Sequence, residues 1–160
     1  MISEGILQQA EAVLARLQAA KLTVATAESC TGGLVAASLT AVPGSSATVL
    51  AGFVTYANSA KTGLLGVGED LLGRVGAVSE EVARAMAEGA LTRAGADLAV
   101  STTGIAGPGG AVPGKPVGTV WLALAQRGGD TVAQRHVFPG DRTEVRNAAV
   151  IEALRMLDRA

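Results

Sequence analysis

The chain has 160 residues, 49% hydrophobic but 2% aromatic, with 21 glycines; that length buries a core without staples and favours one domain over residues 1–160. Thirteen basic residues against fourteen acidic ones leave a net charge of −1 with no basic run, which excludes the electrostatic footprint of a nucleic-acid binder. One cysteine, Cys30, and one histidine, His136, exclude an internal disulfide and a His/Cys zinc cluster within the chain, and they point to a reducing cytoplasm.

The first twenty residues carry Glu4 and Glu11 and lack the basic, apolar and small-residue regions of a signal peptide. No window reaches the roughly 18 uninterrupted apolar residues of a membrane span, so a soluble protein without a membrane partner is expected. Ile6, Leu7, Ala10, Val13, Leu14 and Leu17 recur at helical spacing and predict an amphipathic helix from Ser3, its N-cap, to Ala20. Leu22 to Thr26 reads as the first strand, and Gly33 to Val42 as the next helix, ended by Pro43-Gly44-Ser45-Ser46. A second strand is expected over Val49 to Tyr56, then a short helix from Ser59 to Leu65 and one or two helical turns between Gly66 and Val78.

Ser79 caps the next helix, with Glu80 and Glu81 in its first turn and Gly95 beyond its end. Ala96 to Thr103 is the third strand, followed by a glycine- and proline-rich loop from Gly104 to Gly118. Thr119 to Gln126 and Thr131 to Phe138 form a hairpin about Arg127-Gly128-Gly129-Asp130. Asp141 and Glu144 open the last helix as a capping box, and it runs to Asp158. The alternation predicts an α/β fold: a three-layer domain with a mixed, mainly parallel sheet and helices on both faces.

Polar segments follow each of the first three strands: Glu28-Ser29-Cys30-Thr31-Gly32-Gly33, Tyr56 to Lys61, and Thr102-Thr103-Gly104. Parallel strands with crossovers of one hand bring their carboxyl ends to one edge, so Ser29, Tyr56 and Lys61 are expected to converge there. A serine needs a neighbour to take its proton; a lysine amine, Glu28 or a tyrosine relay are the candidates, and Lys61 is preferred. An ordinary lysine is almost wholly protonated at neutral pH, so this chemistry needs a buried ammonium, placed against Leu64 and Leu65 or beside a second cation such as Arg142.

Each residue also has a plain structural reading. Ser29 and Thr31 fit helix caps, Cys30 a buried hydrophobe, Tyr56 a packed strand end, and Lys61 a solvated helix residue. Glu28 fits an ion pair or a solvated acid. Arg142 and Arg146, one turn apart, fit a phosphate clamp or a solvated face, and His136 a structural position. Gly109 to Lys115 has the spacing of a P-loop, but Pro116 replaces the Ser or Thr and a strand follows, so that reading fails. The glycines of the loop remain suited to close approach of backbone N–H groups to an anion or oxyanion.

In chain order, Ala27-Glu28-Ser29-Cys30-Thr31-Gly32-Gly33, Val54-Thr55-Tyr56 with Lys61, Gly76-Ala77-Val78-Ser79, Thr103 to Gly110, Lys115 to Val120 and Phe138-Pro139-Gly140-Asp141-Arg142 resemble the CinA C-terminal domain family. Stand-alone members of that family are nicotinamide-nucleotide amidohydrolases. The resemblance implies hydrolysis of the carboxamide of nicotinamide mononucleotide to nicotinate mononucleotide and ammonia, with no metal or other cofactor. It implies Ser29 as nucleophile, Lys61 as base and Tyr56 as a supporting hydroxyl, in a homodimer or larger homo-oligomer. The substrate contacts expected with it are Glu28, Cys30, Thr31, Gly32, Gly33, Thr103, Gly104, Gly107, Gly109 and Arg142. A non-catalytic pyridine-nucleotide sensor or competence-related interaction module is the competing reading.

Overall fold

The computed structural model describes residues 1–160. Capping side chains begin three of its six helices. Ser3 accepts from the Ile6 N–H at the start of α1 (Glu4–Ala19), Ser79 from the Val82 N–H at α5 (Glu80–Ala94), and Asp141 with Glu144 completes a capping box at α6 (Arg142–Arg159). The remaining helices are α2 (Leu34–Thr40), α3 (Asn58–Leu65) and α4 (Glu69–Val75). The strands are β1 (Val24–Glu28), β2 (Val49–Val54), β3 (Leu98–Gly104), β4 (Thr119–Gln126) and β5 (Val132–Val137).

The strands form one sheet in the order β2-β1-β3-β4-β5. Strand β1 pairs parallel with β2 and with β3, while β4 runs antiparallel to both β3 and β5. Four strands therefore point one way and β4 alone points back, which bears out the mixed, mainly parallel sheet. Four segments meet at the shared carboxyl edge: 29–33 after β1, 55–57 after β2, the 105–118 loop, and 138–141 before α6.

Strand β1 begins and ends two residues later than its apolar run suggests. Thr23 is occupied with Asp97, whose Oδ2 accepts from both its N–H and its hydroxyl, and Glu28 closes the strand instead of opening the turn. Pleat alternation then sorts the side chains. Val24 joins the large core under α1, α2 and α6, while Ala25 and Ala27 join the smaller core under α3, α4 and α5. The second core is built from small residues because its helices approach closely; a Cβ at Gly89 of α5 would overlap the Leu65 carbonyl at the end of α3. That approach seats α3, and with it Lys61, against the sheet. No helix is long and apolar enough to cross a membrane.

Candidate active site

Ser29 leaves β1 with its main-chain N–H donated to Thr102 O of β3 at 2.9 Å. Beneath it lies Lys61, 1% exposed, on the first turn of α3. Lys61 Nζ is 3.0 Å from Ser29 Oγ, 2.8 Å from Thr55 O and 3.2 Å from Tyr56 O. Burial lowers the Lys61 ammonium below its ordinary value of 10.5. In the neutral amine two N–H bonds stay on the carbonyls, and the lone pair is left facing the serine hydroxyl. The carbonyls of Thr55 and Tyr56 thus aim the lysine at Ser29. The expected neighbours are only partly those found: Leu65 is buried, Leu64 is 49% exposed, and Arg142 turns elsewhere.

A cleft of about 270 Å³ opens above this pair. Ser29, Cys30, Tyr56, Gly104, Gly107, Gly109 and Arg142 line it, joined by Gly110 of the same loop and by Ile105 and Ala106, which were not among the expected contacts. Arg142 spans the mouth: it donates to Gly107 O at 2.9 Å and to the Tyr56 hydroxyl at 3.0 Å. The Tyr56 ring is 61% exposed, so its main-chain carbonyl serves Lys61 while its hydroxyl belongs to the mouth. Burial pushes the Cys30 thiol up to about 11, which keeps it protonated and unreactive at neutral pH. A larger cavity, about 520 Å³, lies at the opposite edge between Thr23 and Thr48 and carries no nucleophile–base pair.

The other expected contacts stand behind the cleft wall. Glu28 is fully buried; its Oε1 accepts from Val35 N–H at 2.8 Å and the Thr31 hydroxyl at 2.7 Å, and its Oε2 from Ala36 N–H at 3.0 Å. The Val35 and Ala36 N–H groups at the start of α2 are therefore already filled. Thr31 is buried and shares a 2.7 Å bond with the Thr102 hydroxyl. Thr103 turns away and donates to Ala77 O at 2.8 Å, holding the 76–79 connection. Gly32 and Gly33, with φ of 60° and 98°, make the tight left-handed turn and do not line the cleft. Arg146 is no solvated residue: its Nε and one amino nitrogen each lie 3.1 Å from Cys30 O and Thr31 O respectively. His136 stacks on Phe138 with ring centroids 5.0 Å apart, outside the site.

Ser29, Lys61 and the cleft above them can perform acyl transfer: a nucleophile, a buried amine as proton carrier, and main-chain donors in the glycine-rich loop. Ala106 and Gly107 line the cleft, and their N–H groups donate to no carbonyl of the chain.

Known proteins give this architecture a context. A CinA-like protein of Akkermansia muciniphila is 56% identical over 144 residues, 90% of this chain and 35% of its own length. One from Anaeromyxobacter is 54% identical over 98% of this chain and 38% of its own length, so the chain spans about a third of these longer relatives. A nicotinamide-nucleotide amidohydrolase PncC of Pseudomonas putida is 56% identical over 82% of this chain and 81% of its own. The crystal structure of the competence/damage inducible protein CihA from Agrobacterium tumefaciens superposes with a TM-score of 0.95 at 47% identity, covering 98% of this chain and 96% of that one. Residues 7–160 match the model of the CinA C-terminal domain, and the chain belongs to that family.

Proposed function

We propose that the chain hydrolyses the carboxamide of nicotinamide mononucleotide, releasing nicotinate mononucleotide and ammonia. The observation that carries this reading is the 3.0 Å contact between Ser29 Oγ and a buried Lys61 Nζ on the floor of an open cleft. The similarity to the Pseudomonas putida amidohydrolase supports the choice of substrate. Neutral Lys61 takes the Ser29 proton as Oγ bonds to the carboxamide carbon. The resulting oxyanion is held by the Ala106 N–H. The carbon–nitrogen bond breaks, Lys61 returns the proton to the leaving nitrogen as ammonia departs, and an ester to Ser29 remains. Lys61 then draws a proton from water as the water oxygen attacks the ester, and returns it to Ser29 Oγ as the ester bond breaks; the acid product loses its proton to solvent and leaves as the carboxylate, with Lys61 neutral again.

Arg142 and the Gly107–Gly110 loop are the assigned phosphate contacts, with Arg142 exchanging its bond to Gly107 O for one to the anion. The chain also self-associates in this reading. Between Leu22 and Gly68 its charged residues, Glu28 and Lys61, are both buried, and the edge strand β2 leaves Leu50 and Val54 about half exposed, as are Tyr56 and Leu64 in the same stretch. Such depletion of charge is the compositional mark of an interface centre.

Ammonia release from nicotinamide mononucleotide tests the reaction. Wild type turns over; Ser29→Ala binds the nucleotide and releases no ammonia; Cys30→Ala keeps its rate, because the thiol is protonated and has no part. Binding without release by folded wild type establishes the sensor reading in its place.

A further inference from the structure

We infer that Glu28 is a positioning residue for the nucleophile, fixing the turn that presents Ser29 from inside the fold while Arg146 fixes it from outside. The inference rests on Ser29 being the nucleophile of the proposed reaction.

Helix α2 has an uncommon start. Its N-cap is Gly33, at φ 98°, which offers no side chain to the first free N–H groups. A Ser, Thr, Asp or Asn there would ordinarily fill that role. The left-handed backbone of Gly32 and Gly33 is what lets the chain reverse sharply after Ser29, and it disfavours those residues. Glu28 supplies the missing acceptor from the strand side of the turn. Its oxygens take the N–H groups of Val35 and Ala36, the second and third residues of α2, at 2.8 and 3.0 Å. Residues 28 to 35 thereby form a closed ring, covalent along one side and hydrogen-bonded across the other. Ser29 sits within it.

The ring is tied down at further points. Thr26 donates to Glu28 Oε2 at 3.3 Å from the same face of β1, and Thr31 to Oε1 at 2.7 Å. Each carboxylate oxygen accepts a main-chain N–H, so the Thr31 hydroxyl must donate to Glu28, which makes the Thr102 hydroxyl the donor to Thr31. This orders a buried chain from Thr102 through Thr31 to Glu28, while Thr102 O holds Ser29 N–H at 2.9 Å. On the outer side Arg146 holds Cys30 O and Thr31 O, and a Cβ at Gly32 would lie 3.1 Å from its guanidinium. Alternation along β1 sends Glu28 and Ser29 to opposite faces of the sheet, so the carboxylate never enters the cleft. Its effect passes through the backbone to the placement of Oγ against Lys61.

Glu28→Gln tests this. The amide keeps the shape but turns one acceptor into a donor facing a main-chain N–H, and the ring loosens at that bond. Displacing a reacting atom by about 1 Å costs on the order of 10²-fold in rate. The expected result is a fall in kcat toward that size with KM within about twofold, and an equal fall in the rate at which a fluorophosphonate labels Ser29. Val13→Ala, a cavity in the core under α1, serves as the control: it lowers thermal stability and leaves both rates unchanged at temperatures where it is folded. Thr31→Val, which removes one donor to Glu28, gives a smaller loss of the same kind and decides the matter if Glu28→Gln does not fold. Unchanged kcat and labelling in a folded Glu28→Gln, or losses matched by Val13→Ala, overturn the inference. If wild type labels at Ser29 but releases no ammonia, the amidohydrolase reading fails alone, and the labelling rates still judge Glu28.

Discussion

Replacing Lys61 probes the site and the fold with one residue. The unfolded chain titrates this amine near 10.5, and burial lowers it in the folded protein. Between those two values the unfolded chain holds one more proton than the folded one, so stability rises with pH there, by up to about 1.4 kcal/mol per pH unit. Below the folded value the penalty of a buried ammonium is fully present and no longer changes with pH. Lys61→Met abolishes this dependence. It also leaves Thr55 O and Tyr56 O without a donor, a pH-independent loss of about 1–3 kcal/mol for each group.

The difference in unfolding free energy between wild type and Lys61→Met should therefore be flat at low pH and swing toward wild type as pH climbs to the ordinary lysine value. Urea unfolding followed by the fluorescence of Trp121, the sole tryptophan, measures it. Catalysis carries the same signature. The neutral amine is the active form, so kcat/KM falls tenfold per pH unit on the acid side of the folded Lys61 value. Lys61→Arg keeps the charge and donors but stays protonated, and should lose on the order of 10²–10⁴ in kcat. A stability difference that ignores pH up to the lysine range, together with an active Lys61→Arg, refutes the argument.

Two further outcomes bear on neighbouring features. Thr55 Oγ1 is buried with no hydrogen-bond partner, so Thr55→Val should raise stability by about 1 kcal/mol, a rise in Tm of roughly 2–4 °C, with activity kept because Lys61 holds the main-chain oxygen of Thr55; a fall in Tm in thermal unfolding contradicts it. Sedimentation should give wild type a mass above that of one chain, and Leu50→Lys with Val54→Lys should return the single-chain mass. A single-chain mass for wild type removes β2 as an interface.

The readable parts of the fold share a physical cause: their signals are local. Ser3, Ser79 and Asp141 each cap the helix they immediately precede, and β4 runs over its apolar stretch from Thr119 to Gln126 without a shift. The meeting of Ser29 with Lys61 was also legible, because strand direction and the hand of crossovers constrain which loops share an edge. Choices between near neighbours were not. Thr102 and Thr103 look alike in sequence, yet alternation gives one to Thr31 and the other to Ala77. Arg142 and Arg146 differ by one helical turn, which separates the mouth of the cleft from the back of the serine turn.

Glu28 shows where a signal was present in another form. Read among hydroxyls and glycines, it resembles a ligand contact, because the apolar run stops before it and an acid rarely closes a buried strand. The informative residue is Gly33. Unlike α1, α5 and α6, helix α2 has neither a capping side chain nor an acidic residue in its first turn, and its leading N–H groups must still find an acceptor. Within the tight turn the one side chain long enough to return from the strand and strong enough to hold two N–H groups is Glu28. A helix start without a cap, five residues after an acid, therefore predicts that the acid turns inward, and a serine between them is held by both.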